Sequence, residues 1–212
     1  MSRKKSLFVT FEGIEGSGKS YQSKKLYRYI KGKRLPVIYT REPGGVGSAE
    51  KIRKVILSGS KNKFTKTTDT LLYLAARNEH VEKTLIPSIK KKINIICDRF
   101  YDSTMAYQVY SNGVEKELVD NVHKKILNNI KPDLTFILTV KIDKAFQRLA
   151  KRKKLNRYDK FSKKFYTKVQ RGFINIAKKN KKRCFIIDNS EDSILTEKLI
   201  FKIFNSVLNN ER

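Results

Sequence analysis

The sequence predicts an α/β fold, with five parallel strands in one sheet and helices on both faces. Three observations predict it. Five short apolar runs recur at residues 7–11, 37–40, 93–97, 134–140 and 184–188. Between them lie stretches with apolar residues at helical spacing, the alternation of a sheet covered on both sides. The first run opens directly into Gly13-Ile14-Glu15-Gly16-Ser17-Gly18-Lys19-Ser20. This fits G-x-x-x-x-G-K-[ST], the phosphate-cradling P-loop, in the strand–loop–helix setting that the motif requires. The expected architecture is therefore a P-loop NTPase fold.

At 212 residues the chain is long enough for one domain with a sizeable core. No apolar run approaches the roughly 20 residues of a membrane span. The N-terminus, Met1-Ser2-Arg3-Lys4-Lys5, is basic, and the run after it is too short for a signal-peptide core. A cytoplasmic location is expected. Cys97 and Cys184 each sit in an apolar run and read as small buried residues. Forty-eight Lys and Arg against twenty Asp and Glu give a net charge of +28. That excess suits a nucleic-acid binder, but the lysines are scattered and Asn and Ile are also frequent. A compositional habit is the favoured reading, so no specific nucleic-acid partner is expected, although the surface attracts polyanions such as nucleotides.

Along the chain, chemistry-bearing residues collect where strands end. In the loop, glycines let backbone N–H groups and a helix start face polyphosphate. Lys19 suits the terminal phosphates, and the Ser20 hydroxyl suits Mg²⁺. Glu12, at the end of the first run, could help hold Mg²⁺ through water. Glu15 is an acid inside a phosphate loop and must point elsewhere, for example at a sugar hydroxyl of a second substrate. The second run leads into Arg41-Glu42-Pro43-Gly44-Gly45, a turn that presents a guanidinium suited to a phosphate monoester. A helix with Ile52, Val55, Ile56 and Leu57 follows, then a loop, then a longer helix over 71–89 with Leu71, Leu72, Leu74 and Ala75 read as core. Tyr73 and Arg77, four apart, share a face of it and could grip a base. The third run ends in Asp98-Arg99, a Walker-B-like arrangement with Asp98 near Mg²⁺. The residues that follow, from Phe100 to Gln108, combine hydroxyls, aromatics and one amide, a set suited to a nucleoside pocket. Later, Arg148, Lys151, Arg152, Lys153, Lys154 and Arg157 form a basic segment that reads either as a solvated face or as a lid closing over phosphates.

These segments together resemble the thymidylate kinase family in its bacterial form, over nearly the whole chain. The resemblance rests on residues 11–20, on Thr40-Arg41-Glu42-Pro43-Gly44-Gly45, on Ala75-Ala76-Arg77, and on Asp98-Arg99 with Ser103-Thr104 and Ala106-Tyr107-Gln108. It implies a single nucleoside-monophosphate kinase domain with a lid at about 148–160, ATP and dTMP as substrates, Mg²⁺ as cofactor, and commonly a homodimer. It also implies roles. Residues 13–20 bind ATP, with Arg148 near the adenine. Arg41 and Arg99 hold the dTMP phosphate, Arg77 meets the thymine edge, and Tyr73 stacks where the family usually has phenylalanine. Gln108 with Ser103 or Thr104 completes the base contacts, Tyr107 crowds a ribose 2′-hydroxyl, and Glu15 takes the 3′-hydroxyl. Ser20, Asp98 and Glu12 serve the metal. Gly16 stands where another subtype of the family carries a P-loop arginine. The catalytic arginine, beside Lys19 and Arg99, must then come from the lid, where Arg152 matches best. Lys153 and Asn156 depart from the family's usual lid residues and leave Arg148, Arg152 and Arg157 as alternatives. Other acceptors, or a DNA-stimulated ATPase, are the rival readings.

Overall fold

The computed structural model describes residues 6–60, 62–152, 156–191 and 194–210. Lys153 and Lys154 of the basic segment lie outside these residues, as do the first five. Among the described residues, five parallel strands form one sheet: β1 (Phe8–Glu12), β2 (Val37–Arg41), β3 (Asn94–Asp98), β4 (Leu134–Thr139) and β5 (Cys184–Asp188), in the order β2-β3-β1-β4-β5. The order reverses beside β1, and the crevice outside the carboxyl ends at such a switch point is where open α/β sheets bind ligands. Register aligns Phe11 and Arg41 with Asp98. The ends of three adjacent strands thus bring Glu12, Asp98 and Arg41 together.

Helices α1 (Lys19–Gly32) and α9 (Ile194–Asn210) cover one face, where Leu7, Val9, Phe11, Leu26, Ile30, Ile200 and Phe204 pack together. Against the other face lie α2 (Gly47–Leu57), α3 (Lys66–His80), α5 (Tyr101–Thr104), which continues as a π-helix to Ser111, and α8 (Lys163–Lys179). Helix α3 runs through a π-helical segment, Val81–Leu85, into α4 (Ile86–Lys90). Helices α6 (Lys116–Ile126) and α7 (Ile142–Ala150) follow β3 and β4 respectively. Strand alternation sorts β1. Leu7, Val9 and Phe11 face α1 and α9, while Phe8 packs with Phe100 on the other side. Cys97 and Cys184 are both buried and free. Among the described residues, no helix is long and apolar enough to cross a membrane.

The buried face of α3 differs from expectation. Leu71, at 46%, and Ala75 are exposed, as is Val55 of α2 at 44%. On α3, Arg77 is buried instead. Four of its five N–H groups have partners, so it can occupy a position where periodicity favours an apolar residue.

Candidate active site

Glycine geometry shapes the phosphate loop. Gly18 sits at φ +88° as the residue before α1, so the loop passes straight into a helix N-terminus. Gly16 sits at φ +77°, and a Cβ there would lie 2.5 Å from the Ala145 carbonyl oxygen at the start of α7. No side chain fits at that position, so no arginine can reach the phosphates from it. Lys19 is buried and donates to the Ile14 carbonyl at 2.8 Å. Burial, with Arg99 nearby, pulls its ammonium down to about 8.

Ser20 Oγ donates to the Asp98 carboxylate, joining the loop hydroxyl to the acid at the end of β3. A hydroxyl and a carboxylate together form an oxygen donor pair suited to a hard cation. Among the described residues no group of three His, Cys, Asp or Glu side chains is poised around a metal. The Ser20–Asp98 pair still fits Mg²⁺, which keeps most of its ligands as water and phosphate oxygen.

Arg99 adopts φ +72°, a backbone conformation that side chains rarely take and that clusters at functional sites. Its guanidinium donates to Gly13 O at 2.9 Å, to Ser103 Oγ at 3.0 Å and to the Glu15 carboxylate. Burial raises the Glu15 carboxyl, but Arg99, then Lys19 and the Tyr107 hydroxyl, outweigh it and hold it at about 2. Tyr107 donates at 2.8 Å to Glu15 Oε2, the oxygen that also accepts from Arg99.

Glu12 does not serve as the metal expectation requires. Alternation along β1 turns it away from Phe11's side, against α5. There it is fully buried, accepting from Phe100 N at 2.7 Å and Ser103 Oγ at 2.5 Å. Burial and then Asp102 raise its carboxyl to about 8. Its contacts instead fix Phe100 and Ser103, the residues that follow the strained backbone at Arg99.

The opposite wall of the cleft is built from α3. Arg77 is 2% exposed and donates to Glu42 Oε2, Thr104 Oγ1, His123 Nε2 and Phe100 O at 2.7–3.0 Å. Four of five N–H groups are thereby engaged. His123 is pulled down to about 3 by burial and by Arg77, so it is neutral and accepts. Together with Tyr73, Thr104, Tyr107 and Gln108, Arg77 lines a cleft of about 240 Å³ whose other side carries Glu15, Lys19, Ser20, Asp98 and Arg99. Arg41 reaches its mouth, half exposed and paired with Glu50 at 3.1 Å.

Arg53 also lines the cleft, donating to Pro43 O at 2.6 Å, and no motif marks it. Its signal was an arginine on the otherwise buried face of α2, four after Ala49 and three before Ile56. Tyr158 and Asn156, within the segment expected to form the lid, line the cleft as well.

The basic segment resolves into three different arginines. Arg148 lies outside the cleft lining and donates to the carbonyls of Gly16, Asn189 and Ser190, bracing the outer side of the loop. Arg157 is 3% exposed and paired with Asp69. Arg152 alone of the three lines the cleft, 43% exposed, with Nη1 on Asp159 at 2.9 Å. The remaining loop residues, Gly13, Ile14, Ser17 and Gly18, form the backbone behind Lys19 and do not line this cleft.

Comparison with known proteins agrees with this geometry. The thymidylate kinase family model matches residues 11–200. A thymidylate kinase of Wolbachia pipientis wMel is 42% identical over 204 residues, covering 93% of this chain and 100% of that protein. One from a Sulfurihydrogenibium species is 37% identical, covering 91% and 94%. The crystal structure of thymidylate kinase from Ehrlichia chaffeensis superposes with a TM-score of 0.76 at 33% identity, over 94% of this chain and 99% of that one. With sequence, fold and cleft in agreement, the chain belongs to the thymidylate kinase family.

Proposed function

We infer that the cleft transfers the γ-phosphoryl group of ATP to the 5′-phosphate of dTMP, so that the chain makes dTDP and ADP in dTTP synthesis. One observation carries this reading: the P-loop lysine and serine share a single cleft with an acceptor wall of Arg99, Arg77, Tyr73 and Gln108. Residues 13–20 cradle the ATP phosphates, and Arg148 stands on the adenine side. Arg99, Arg41 and Arg53 hold the acceptor phosphate. Arg77 offers its remaining N–H to the thymine edge, and Tyr73 stacks on the ring. Ser103 is committed to Arg99 and Thr104 to Arg77, so Thr104 acts on the base through Arg77, Ser103 steadies the arginine that holds the phosphate, and Gln108 contacts the base directly. Tyr107 closes the space at the 2′ position, and Glu15 Oε1 takes the 3′-hydroxyl.

The acceptor is already an anionic oxygen, so no strong base is needed, and catalysis is alignment plus charge neutralisation. Lys19 and Arg152 neutralise the transferring group. Ser20 and Asp98 would hold Mg²⁺, which when bound adds positive charge at the phosphates. We place the chain in the cytoplasm as a homodimer, with the exposed Val55 and Leu71 of α2 and α3 in the contact. Sedimentation distinguishes dimer from monomer. A coupled ADP-release assay comparing dTMP, dUMP, dCMP, dGMP and thymidine tests the reaction. Preference for dTMP is expected, and turnover of thymidine without dTMP contradicts it.

A further inference from the structure

We propose that Asp69 is a positioning residue for both substrates, holding Tyr158 against the base pocket and, through the same short turn, Arg152 over the phosphates. The proposal rests on the cleft reading given above.

Asp69, Tyr73 and Arg77 recur every four residues and form one stripe along α3. Tyr73 and Arg77 line the acceptor wall, while Asp69 reaches the 3₁₀ turn Arg157–Lys160, 88 residues later. There it is 7% exposed, and both carboxylate oxygens are used. Oδ1 accepts from Arg157, and Oδ2 accepts from the Tyr158 hydroxyl at 2.6 Å. A carboxylate gripping one charged and one neutral donor forms strong, directional bonds. The captured Tyr158 ring stands edge-on to both Tyr73 and Tyr107, 6.0 Å from each, and closes the cleft beside the stacking position.

The next residue in the turn is Asp159, whose side chain is fully buried. Its Oδ1 holds Arg152, and its Oδ2 caps the turn through Asn156 N and Nδ2 at 2.8 and 2.7 Å. Arg152 thus depends for its position on a turn that Asp69 fixes to the helix bearing the base pocket. A displacement of about 1 Å at such a group can cost on the order of 10²-fold in rate.

The test combines steady-state kinetics with dTMP dissociation constants measured calorimetrically without ATP. The proteins are the full chain, Asp69→Asn, Arg152→Ala, the double variant and Tyr158→Phe. Asp69→Asn is expected to lower kcat by about 30-fold and weaken dTMP by about tenfold, with ATP KM unchanged. In the Arg152→Ala background its further effect on kcat is expected to shrink to no more than about threefold. Independent, multiplying losses overturn the proposal, and so does a parallel rise in ATP KM, the mark of general loosening. If Arg152→Ala leaves kcat intact, the Arg152 assignment falls and dTMP affinity decides. A tenfold loss in Asp69→Asn then upholds the Asp69 link to the base pocket, and unchanged affinity overturns it. If Asp69→Asn does not fold, Tyr158→Phe replaces it, since it removes one hydroxyl only; unchanged dTMP affinity again overturns the proposal.

Discussion

The acceptor wall and the lid both present arginines to one cleft, but in opposite states. Arg77 is buried and Arg99 largely so, with several N–H groups already committed to carboxylates, hydroxyls and carbonyls. Arg152 is nearly half exposed and held at one nitrogen. A guanidinium fixed before substrate arrives loses little freedom on binding and sets the acceptor's line of attack. One that keeps most of its donors unused can instead follow charge onto the transferring group. The wall therefore combines stability with function, whereas the lid residue can serve function alone.

That contrast can be broken by substitution. The largest effect is expected for Arg99→Met, which removes the cation proposed to hold the acceptor and should cut kcat/KM for dTMP on the order of 10³-fold. Arg41→Met, at the exposed mouth, should cost far less, and equal losses would erase the distinction within the phosphate-binding set. Next, Arg77→Met leaves Glu42 buried beside His80 without its guanidinium and should destabilise the fold by roughly 3–5 kcal/mol in chemical denaturation. Arg152→Ala, an exposed pair, should change stability by less than about 1 kcal/mol. A marked loss of stability there would make the lid arginine structural too.

The buried acid beneath Arg99 gives a third handle. The folded Glu12 carboxyl lies at about 8, above its ordinary 4.5. Between those values the folded state binds a proton that the unfolded state does not, so stability falls as pH rises from 4.5 to 8. Denaturation midpoints should show a decline on the order of a few kcal/mol across this window, and Glu12→Gln should flatten it. The smallest effect concerns Lys19. Its ammonium at about 8 loses its proton above that pH in the free enzyme. kcat/KM for ATP should then drop about tenfold per pH unit beyond it, while kcat, which reports the phosphate-bound enzyme, holds to higher pH.

How much was legible follows from how local each signal is. The P-loop and the Asp98-Arg99 strand end could be read because their geometry is encoded within a few residues, by glycines at positive φ and an acid closing an apolar strand. Arg53, Asp69 and Glu12 could not. Arg53 is defined by a carbonyl ten residues earlier on another element. Asp69 and Arg157 are 88 residues apart and meet only when the turn folds onto α3. Glu12 looked like a metal ligand from its place at a strand end, and only the alternation of β1 against α5 turns it inward. Leu71 and Ala75 failed as core because the buried side of α3 is set by Arg77 and its polar partners, which an apolar count does not register. The resemblance already favoured Arg152 over Arg148 and Arg157, but only burial and partners separate the three physically.

In the proposed reaction, Arg152 neutralises the transferring phosphoryl group from across the cleft. Rapid-quench, single-turnover transfer with saturating ATP and dTMP measures that step directly. For Arg152→Ala, the transfer rate should fall on the order of 10³-fold while the dissociation constants of both nucleotides stay within about twofold of the parent. An unchanged transfer rate, or a loss confined to nucleotide affinity, would contradict it.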